Sequence, residues 1–334
     1  MRLTHELTET ERGSLHSVLT TVRGNPYQDY PAFARAVADL VASGSVPSFF
    51  TEVCGRIRAD RRDGVDVHVL RNCPLDEEVP LLGNADPLGD KYARKTTFVA
   101  EALHTLFSQL TGAPLLAYAT RFNGDFFTDV IAHDQYAGQQ TGFAEGELVF
   151  HNDRTAHRVR ADFITLLGMR CPEGDLVYTG FVSGRELLAR LTDAEQKVLR
   201  EPYFVTPFDV VSKDANQSLT QSGHHPILEN AYSFRYLDTH TTVAAGSPGE
   251  AKDALIALKN SLARAERTRH RIRTGDLFTF ANQDGLHNRE RIEVNDNDRA
   301  RARWLLKTYA FRDETRAERF ADDWVGAVPG RVGD

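Results

Sequence analysis

Phe150-His151-Asn152-Asp153-Arg154-Thr155-Ala156-His157 follows an apolar run, Leu148 to Phe150, so the chain enters this stretch as a strand. Side chains two residues apart on a strand project to the same side, which puts the His151 imidazole and the Asp153 carboxylate on one face. A second imidazole from another strand completes two histidines and a carboxylate, the facial set that leaves three positions open on non-haem Fe(II). His287, at the end of Gly275-Asp276-Leu277-Phe278-Thr279-Phe280-Ala281-Asn282-Gln283-Asp284-Gly285-Leu286-His287, is the candidate. Arg273-Thr274-Gly275-Asp276 reads as a turn feeding an apolar run, His287 lies just past that strand, and Arg301, Arg303 and Lys307 fall on the next. Cations one strand beyond a ferrous site suit a dicarboxylate co-substrate, because a planar guanidinium pairs a carboxylate through two parallel hydrogen bonds.

His151-x-Asp153, the Gly275-Asp276 turn, His287 and Arg303-Trp304-Leu305 resemble the Fe(II)/2-oxoglutarate oxygenases of the clavaminate synthase-like group, from about Leu115 to Arg312. Within that group, His151 to His157 and Arg303 to Tyr309 are most similar to hydroxylases of free basic amino acids, L-lysine first. The resemblance implies an α+β chain with a double-stranded β-helix core, a cupin-like jelly roll, flanked by N-terminal and inserted helices. It implies Fe(II) on His151, Asp153 and His287, with 2-oxoglutarate and O2 as co-substrates. The implied reaction hydroxylates an unactivated C–H, at C3 or C4, and releases succinate and CO2. Related halogenases carry a small residue where the carboxylate stands, so that chloride can bind; Asp153 fills that position and favours hydroxylation.

The same resemblance gives Arg303 the distal carboxylate of 2-oxoglutarate. Two more residues than usual separate His287 from that arginine, which makes Arg301 its rival. Thr179, ahead of Gly180-Phe181-Val182-Ser183, matches a threonine that helps bind the same carboxylate. Lys307 stands where relatives carry an arginine for the substrate α-carboxylate, and Asp238 falls near acidic residues that hold a cationic side chain. A surface turn is the alternative for Asp238, and ordinary strand-edge charge the alternative for Arg301 and Lys307. His157 reads as a hydrogen-bonded core or supporting histidine. Arginine, ornithine or a carrier-bound residue are the next substrates, and a β-barrel that binds a small ligand without turning it over is the non-enzyme rival.

The 334 residues carry 40 basic and 47 acidic side chains, a net charge of −7, which argues against nucleic acid or an anionic membrane as partner. A small cationic substrate is not repelled. Cys54, Cys73 and Cys171 are an odd number without C-x-x-C spacing, so neither a disulfide framework nor a zinc site is expected, and a reducing cytoplasm is the plain reading. The N-terminus lacks an apolar signal core, and no run of about 18 apolar residues occurs. The sequence carries no signal for an oligomeric state.

Thr8-Glu9-Thr10-Glu11 predicts a capping box before a helix with Leu15, Val18, Leu19 and Val22 on one side. Further helices are predicted from Tyr30 to Ser43, after Pro47 and from Thr97 to Leu110, forming a helical layer over about 1–112. Strands are predicted at Val65–Val69, Leu115–Ala119, Leu148–Phe150, Phe163–Met169, Leu176–Val182 and Tyr232–Leu237, and short helices at 184–191 and 193–201. The polar stretch Phe208 to Asn230 is long enough to be a lid or a disordered insert, and the lid is preferred; its His224 and His225 read as solvated. Pro248 opens a helix with Leu255, Leu258 and Leu262 in register. No repeat or linker divides the chain, so one domain is expected over 1–334, with a core at about 115–312 and its lid at 208–230.

Overall fold

The computed structural model describes residues 3–333; Asp334 lies outside them, as do Met1 and Arg2 at the head of the stretch read as lacking a signal core. Helices begin where the sequence caps them. In α1 (Glu9–Leu19) the Thr8 side chain accepts from the Glu11 amide while the Glu11 carboxylate accepts from the Thr8 amide. α2 (Tyr30–Ala42) uses Asp29 as its cap, α3 (Ser48–Arg62) follows Pro47, and α4 (Pro87–Arg94), which the sequence reading missed, starts at Asp86. α5 (Val99–Thr111) stops at Gly112, whose φ of 66° is left-handed.

The strands in chain order are β1 (His5–Glu6), β2 (Val67–Arg71), β3 (Leu115–Tyr118), β4 (Thr128–Val130), β5 (Leu148–His151), β6 (Phe163–Arg170), β7 (Leu176–Ser183), β8 (Phe204–Val205), β9 (Thr242–Val243), β10 (Thr268–His270), β11 (Leu277–Ala281), β12 (Gly285–Glu293), β13 (Trp304–Ala310) and β14 (Arg331–Val332). An eight-stranded sheet runs β1-β2-β11-β6-β13-β3-β14, with β4 also on β13; a four-stranded sheet runs β10-β7-β12-β5; β8 pairs β9. The architecture is mixed α and β.

Alternation along β6 and β13 explains why both read as nearly unbroken apolar runs. Leu167, Met169, Trp304 and Leu306 face α1, α2, α3 and α5, packing with Leu15, Phe33, Phe50 and Leu103. Ile164, Leu166, Leu305 and Tyr309 point the other way and join Phe278, Phe280 and Phe181, so that the two sheets close over one another. A strand covered on both faces has no polar side to show. A third cluster packs α6 (Gly184–Leu188), α7 (Asp193–Leu199) and α9 (Gly249–Arg264) on Val182 and Leu286; between them, α8 (Val210–Ala215) lies within the expected lid.

Three expectations need correction. Tyr232–Leu237 is not a strand: the Phe234, Arg235 and Asp238 amides donate to Gln283, Ile227 and Phe150, three separate segments, so no ladder forms. Arg301 lies on α10 (Asn297–Arg301), a short helix that forms because the Asp296 carboxylate accepts from the Asp298 and Arg299 amides. The strand predicted at Val65 begins at Val67. Beyond Arg312, where the resemblance ends, α11 (Glu314–Glu318) and β14 return the chain to the large sheet, β14 lying parallel to β3.

Candidate active site

β5 ends at His151, which sits opposite His287 in the antiparallel pairing with β12. That register brings the two rings to 4.2 Å between centroids. Asp153 lies beyond the strand, in a turn where Arg154 takes a φ of 62°, a left-handed conformation that costs a non-glycine residue on the order of 1 kcal/mol. The shared strand face expected of His151 and Asp153 is thus replaced by a turn, which still aims the carboxylate at both imidazoles. Asp153 Oδ1 lies 3.1 Å from His151 Nε2 and 3.4 Å from His287 Nε2.

Asparagines hold this turn. Asn152 is buried; its side-chain nitrogen donates to the Asn282 and Gly285 carbonyls, and its side-chain oxygen accepts from the Tyr236 amide at 2.8 Å. The Asn282 side chain in turn accepts from the Asp153 amide at 2.8 Å. Both bind the His151 turn to the β11–β12 hairpin that carries His287. Neither was singled out from sequence, because an asparagine in a turn gives no local sign of a partner 130 residues away.

The donor set fits a divalent transition metal. Among the described residues, His151, Asp153 and His287 form the one group with ligand atoms suited to an ion, all within 4.8 Å of one another. His151 Nδ1 is 2.7 Å from the Val149 carbonyl, so with a metal on the ring Nδ1–H would donate there and Nε2, the atom that faces Asp153, would be the ligand. Burial lowers His287 to about 4, so its ring is neutral at pH 7. Burial pushes the Asp153 carboxyl up, but Lys307 beside it and bonds from His151 and His287 hold it well below the usual range. Its second oxygen is occupied: Lys307 Nζ and Tyr309 OH each donate to Oδ2 at 2.8 Å. Burial and the Asp153 charge raise the Tyr309 phenol well above its ordinary value, which keeps it a donor.

These groups line a cavity of about 450 Å³, within the range of small-molecule sites. Thr179, Arg303 and Lys307 line it too. Arg301 does not: it ion-pairs with Asp134 and Glu145 instead. Asp238 is also elsewhere, accepting from Tyr236 OH at 2.6 Å and Lys259 Nζ at 2.8 Å, while its neighbours Leu237 and His240 reach the cavity. His157 is buried against the cavity wall, 3.2 Å from Ser212 Oγ. His225, expected to be solvated, is buried and bonded to Thr206. The sequence reading also passed over Arg289, which lines the cavity and donates to the carbonyls of Thr141, Gly142, Ala144 and Gly146.

Residues 98–309, more than half of the chain, match the family described as taurine catabolism dioxygenase TauD, TfdA family. The chain belongs to the TauD/TfdA dioxygenase family. Within it, this member is 24% identical over 341 residues to L-lysine 3-hydroxylase of Catenulispora acidiphila, covering 97% of this chain and 88% of the relative. It is 28% identical over 218 residues to L-asparagine oxygenase of Streptomyces coelicolor, covering 64% and 63%. A solved asparagine oxygenase with Fe(II), (2S,3S)-3-hydroxyasparagine and succinate superposes with a TM-score of 0.79 at 21% identity, covering 98% of both chains. The non-haem iron oxygenase OrfP with Fe, succinate and (3S)-hydroxy-L-Arg gives 0.78 at 19%, covering 98% and 99%. The fold of this TauD/TfdA member is that of these oxygenases. No helix among its described residues is long and apolar enough to cross a membrane.

Proposed function

We propose that the chain is an Fe(II)- and 2-oxoglutarate-dependent hydroxylase of a free amino acid, with a basic amino acid, L-lysine first, as the leading candidate. The carrying observation is the convergence of His151, Asp153 and His287 in a cavity that Arg303 also lines. Bound Fe(II) supplies the oxidative chemistry, in which 2-oxoglutarate and O2 give succinate, CO2 and a hydroxylated C–H. Asp153 contributes the anionic ligand through Oδ1, while Lys307 and Tyr309 hold Oδ2. Arg303, with Thr179 on the facing sheet, is assigned the distal carboxylate of 2-oxoglutarate. Lys307 keeps two of its three N–H donors for a substrate carboxylate.

The two sheets, read as a jelly roll, and the helices around them are assigned to one domain, with 208–230 as its lid: Phe208, Asp209 and Lys213 in that segment line the cavity. The relatives that act on lysine and asparagine, and the neighbour holding hydroxyarginine, support a free amino acid as substrate. With Asp238 tied to Lys259, the counter-charge expected for a basic side chain is not carried forward. Three unpaired cysteines fit a cytoplasmic setting. A mass-spectrometric screen of free amino acids with iron-loaded protein, 2-oxoglutarate and O2 tests the proposal. One amino acid should gain a single oxygen with matching succinate release; a screen in which none does so would reject it.

A further inference from the structure

The cavity is lined by six cationic side chains, Arg121, Arg154, Lys213, Arg289, Arg303 and Lys307, against two carboxylates, Asp153 and Asp209. Asp153 is committed to the histidines, Lys307 and Tyr309. Asp209 caps α8, accepting from the Ser212 amide at 2.9 Å, and stands 3.3 Å from Arg121 Nη1. Arg121 and Arg154 are thus buried cations that 2-oxoglutarate and the metal set do not require.

Their placement separates them from Arg303. The Arg154 guanidinium lies over the Tyr118 ring at 3.9 Å and donates to Ser212 Oγ at 3.0 Å; Tyr118 meets Tyr309 edge-on at 5.6 Å. Tyr309 is six residues along the chain from Arg303, a span of roughly 20 Å on a strand. Lys307 and Asp153 lie between the two ends. Arg121, only 10% exposed, engages Asp209 through one terminal nitrogen of a group that carries five N–H donors. Asp209 and Ser212, both on the segment that covers the cavity, hold the two guanidiniums from that side.

We infer that Arg121 and Arg154, braced by Asp209 and Ser212, form a second carboxylate-binding subsite, which takes a carboxylate of the substrate at the end of the cavity away from Arg303. This rests on the amino-acid reading for the substrate's identity, and the carboxylate is either the α-carboxylate, taken here in place of Lys307, or that of an acidic side chain, with Lys307 keeping the α-carboxylate. A planar guanidinium suits either, and a cationic side chain is repelled from this end.

The test titrates metal-loaded protein carrying 2-oxoglutarate, without oxygen, with L-lysine, L-glutamate, L-glutamine and cadaverine, in the native chain and in Arg121→Gln. If the α-carboxylate binds here, Arg121→Gln weakens all three amino acids by about thirtyfold or more and leaves cadaverine, which has no carboxylate, unchanged. If a side-chain carboxylate binds here, native protein prefers glutamate to glutamine and lysine, and Arg121→Gln removes that preference alone. In both cases 2-oxoglutarate affinity stays within twofold. Should Arg121→Gln fail to hold 2-oxoglutarate, Arg121→Lys, which keeps the charge and loses the fork, decides by the same comparison. Affinities for every titrant within twofold of native would overturn the inference. If no amino acid binds the native protein, malonate separates the two claims. Malonate bound by native protein and lost in Arg121→Gln keeps the subsite and rejects the amino-acid reading, whereas malonate bound by neither rejects both.

Discussion

Asp153 divides its oxygens between two tasks, Oδ1 facing the imidazoles and Oδ2 held by Lys307 and Tyr309. A carboxylate so held would present one oxygen to a metal. Tyr309→Phe removes one of the two bonds that fix it and is expected to weaken Fe(II) affinity about 10- to 100-fold, measured by competition with a metallochromic chelator. Unchanged affinity would leave Lys307 alone as the group that orients Asp153. Arg303→Leu should raise the 2-oxoglutarate dissociation constant by a factor corresponding to about 2–5 kcal/mol, while Arg301→Leu, which breaks a pair outside the cavity, should change it little. The reverse order in a binding titration would transfer the role to Arg301. At this scale the convergence of His151, Asp153 and His287 was legible because two of the three stand two residues apart and the third lies just past an apolar strand. Asp238 was misplaced because its partner, Lys259, lies 21 residues away on α9, where no pattern announces the pair.

Among the elements, the turn after β5 carries the site, and Asn152 ties it to the hairpin of His287. Asn152→Ala strands a buried amide of Tyr236 and two carbonyls, a loss of roughly 1–3 kcal/mol for each group left unsatisfied. Denaturant unfolding should show a lower midpoint together with weaker metal binding; a lowered midpoint with native metal affinity would separate the turn's stability from its aim. α1, a helix whose start is written in a capping box, was read closely from sequence, as was β6, whose apolar run is bounded by polar residues. The stretch 232–237 misled because its alternating pattern serves three different partners, and α10 was missed because four polar residues and one alanine carry no apolar period.

Across the whole molecule, His104 joins the helical layer to the large sheet, its Nδ1 lying 3.0 Å from Thr308 Oγ1. Burial lowers its pKa to about 3, so folded protein keeps it neutral where an unfolded histidine protonates near 6.5. Between those values the unfolded chain binds more protons, and this residue's contribution to stability falls as pH drops below 6.5. The stability gap between native protein and His104→Asn should therefore shrink by about 1.4 kcal/mol from pH 7.5 to 5.5, read from urea midpoints; a gap independent of pH would show that the histidine is protonated in the fold. The layered fold was legible from the switch between helical and alternating periods, whereas the cationic lining of the cavity was not, because Arg121, Arg154 and Arg289 come from separate segments. The central claim is that His151, Asp153 and His287 hold Fe(II) while Arg303 positions 2-oxoglutarate on it. Oxygen-free absorption of the protein with Fe(II) and 2-oxoglutarate tests it most directly, since a 2-oxo acid chelated to Fe(II) has a visible charge-transfer band that neither has alone. The account predicts that band at one iron per chain, lost in His287→Ala and needing far more 2-oxoglutarate in Arg303→Leu; no band in the native protein, or an equal band in His287→Ala, would contradict it.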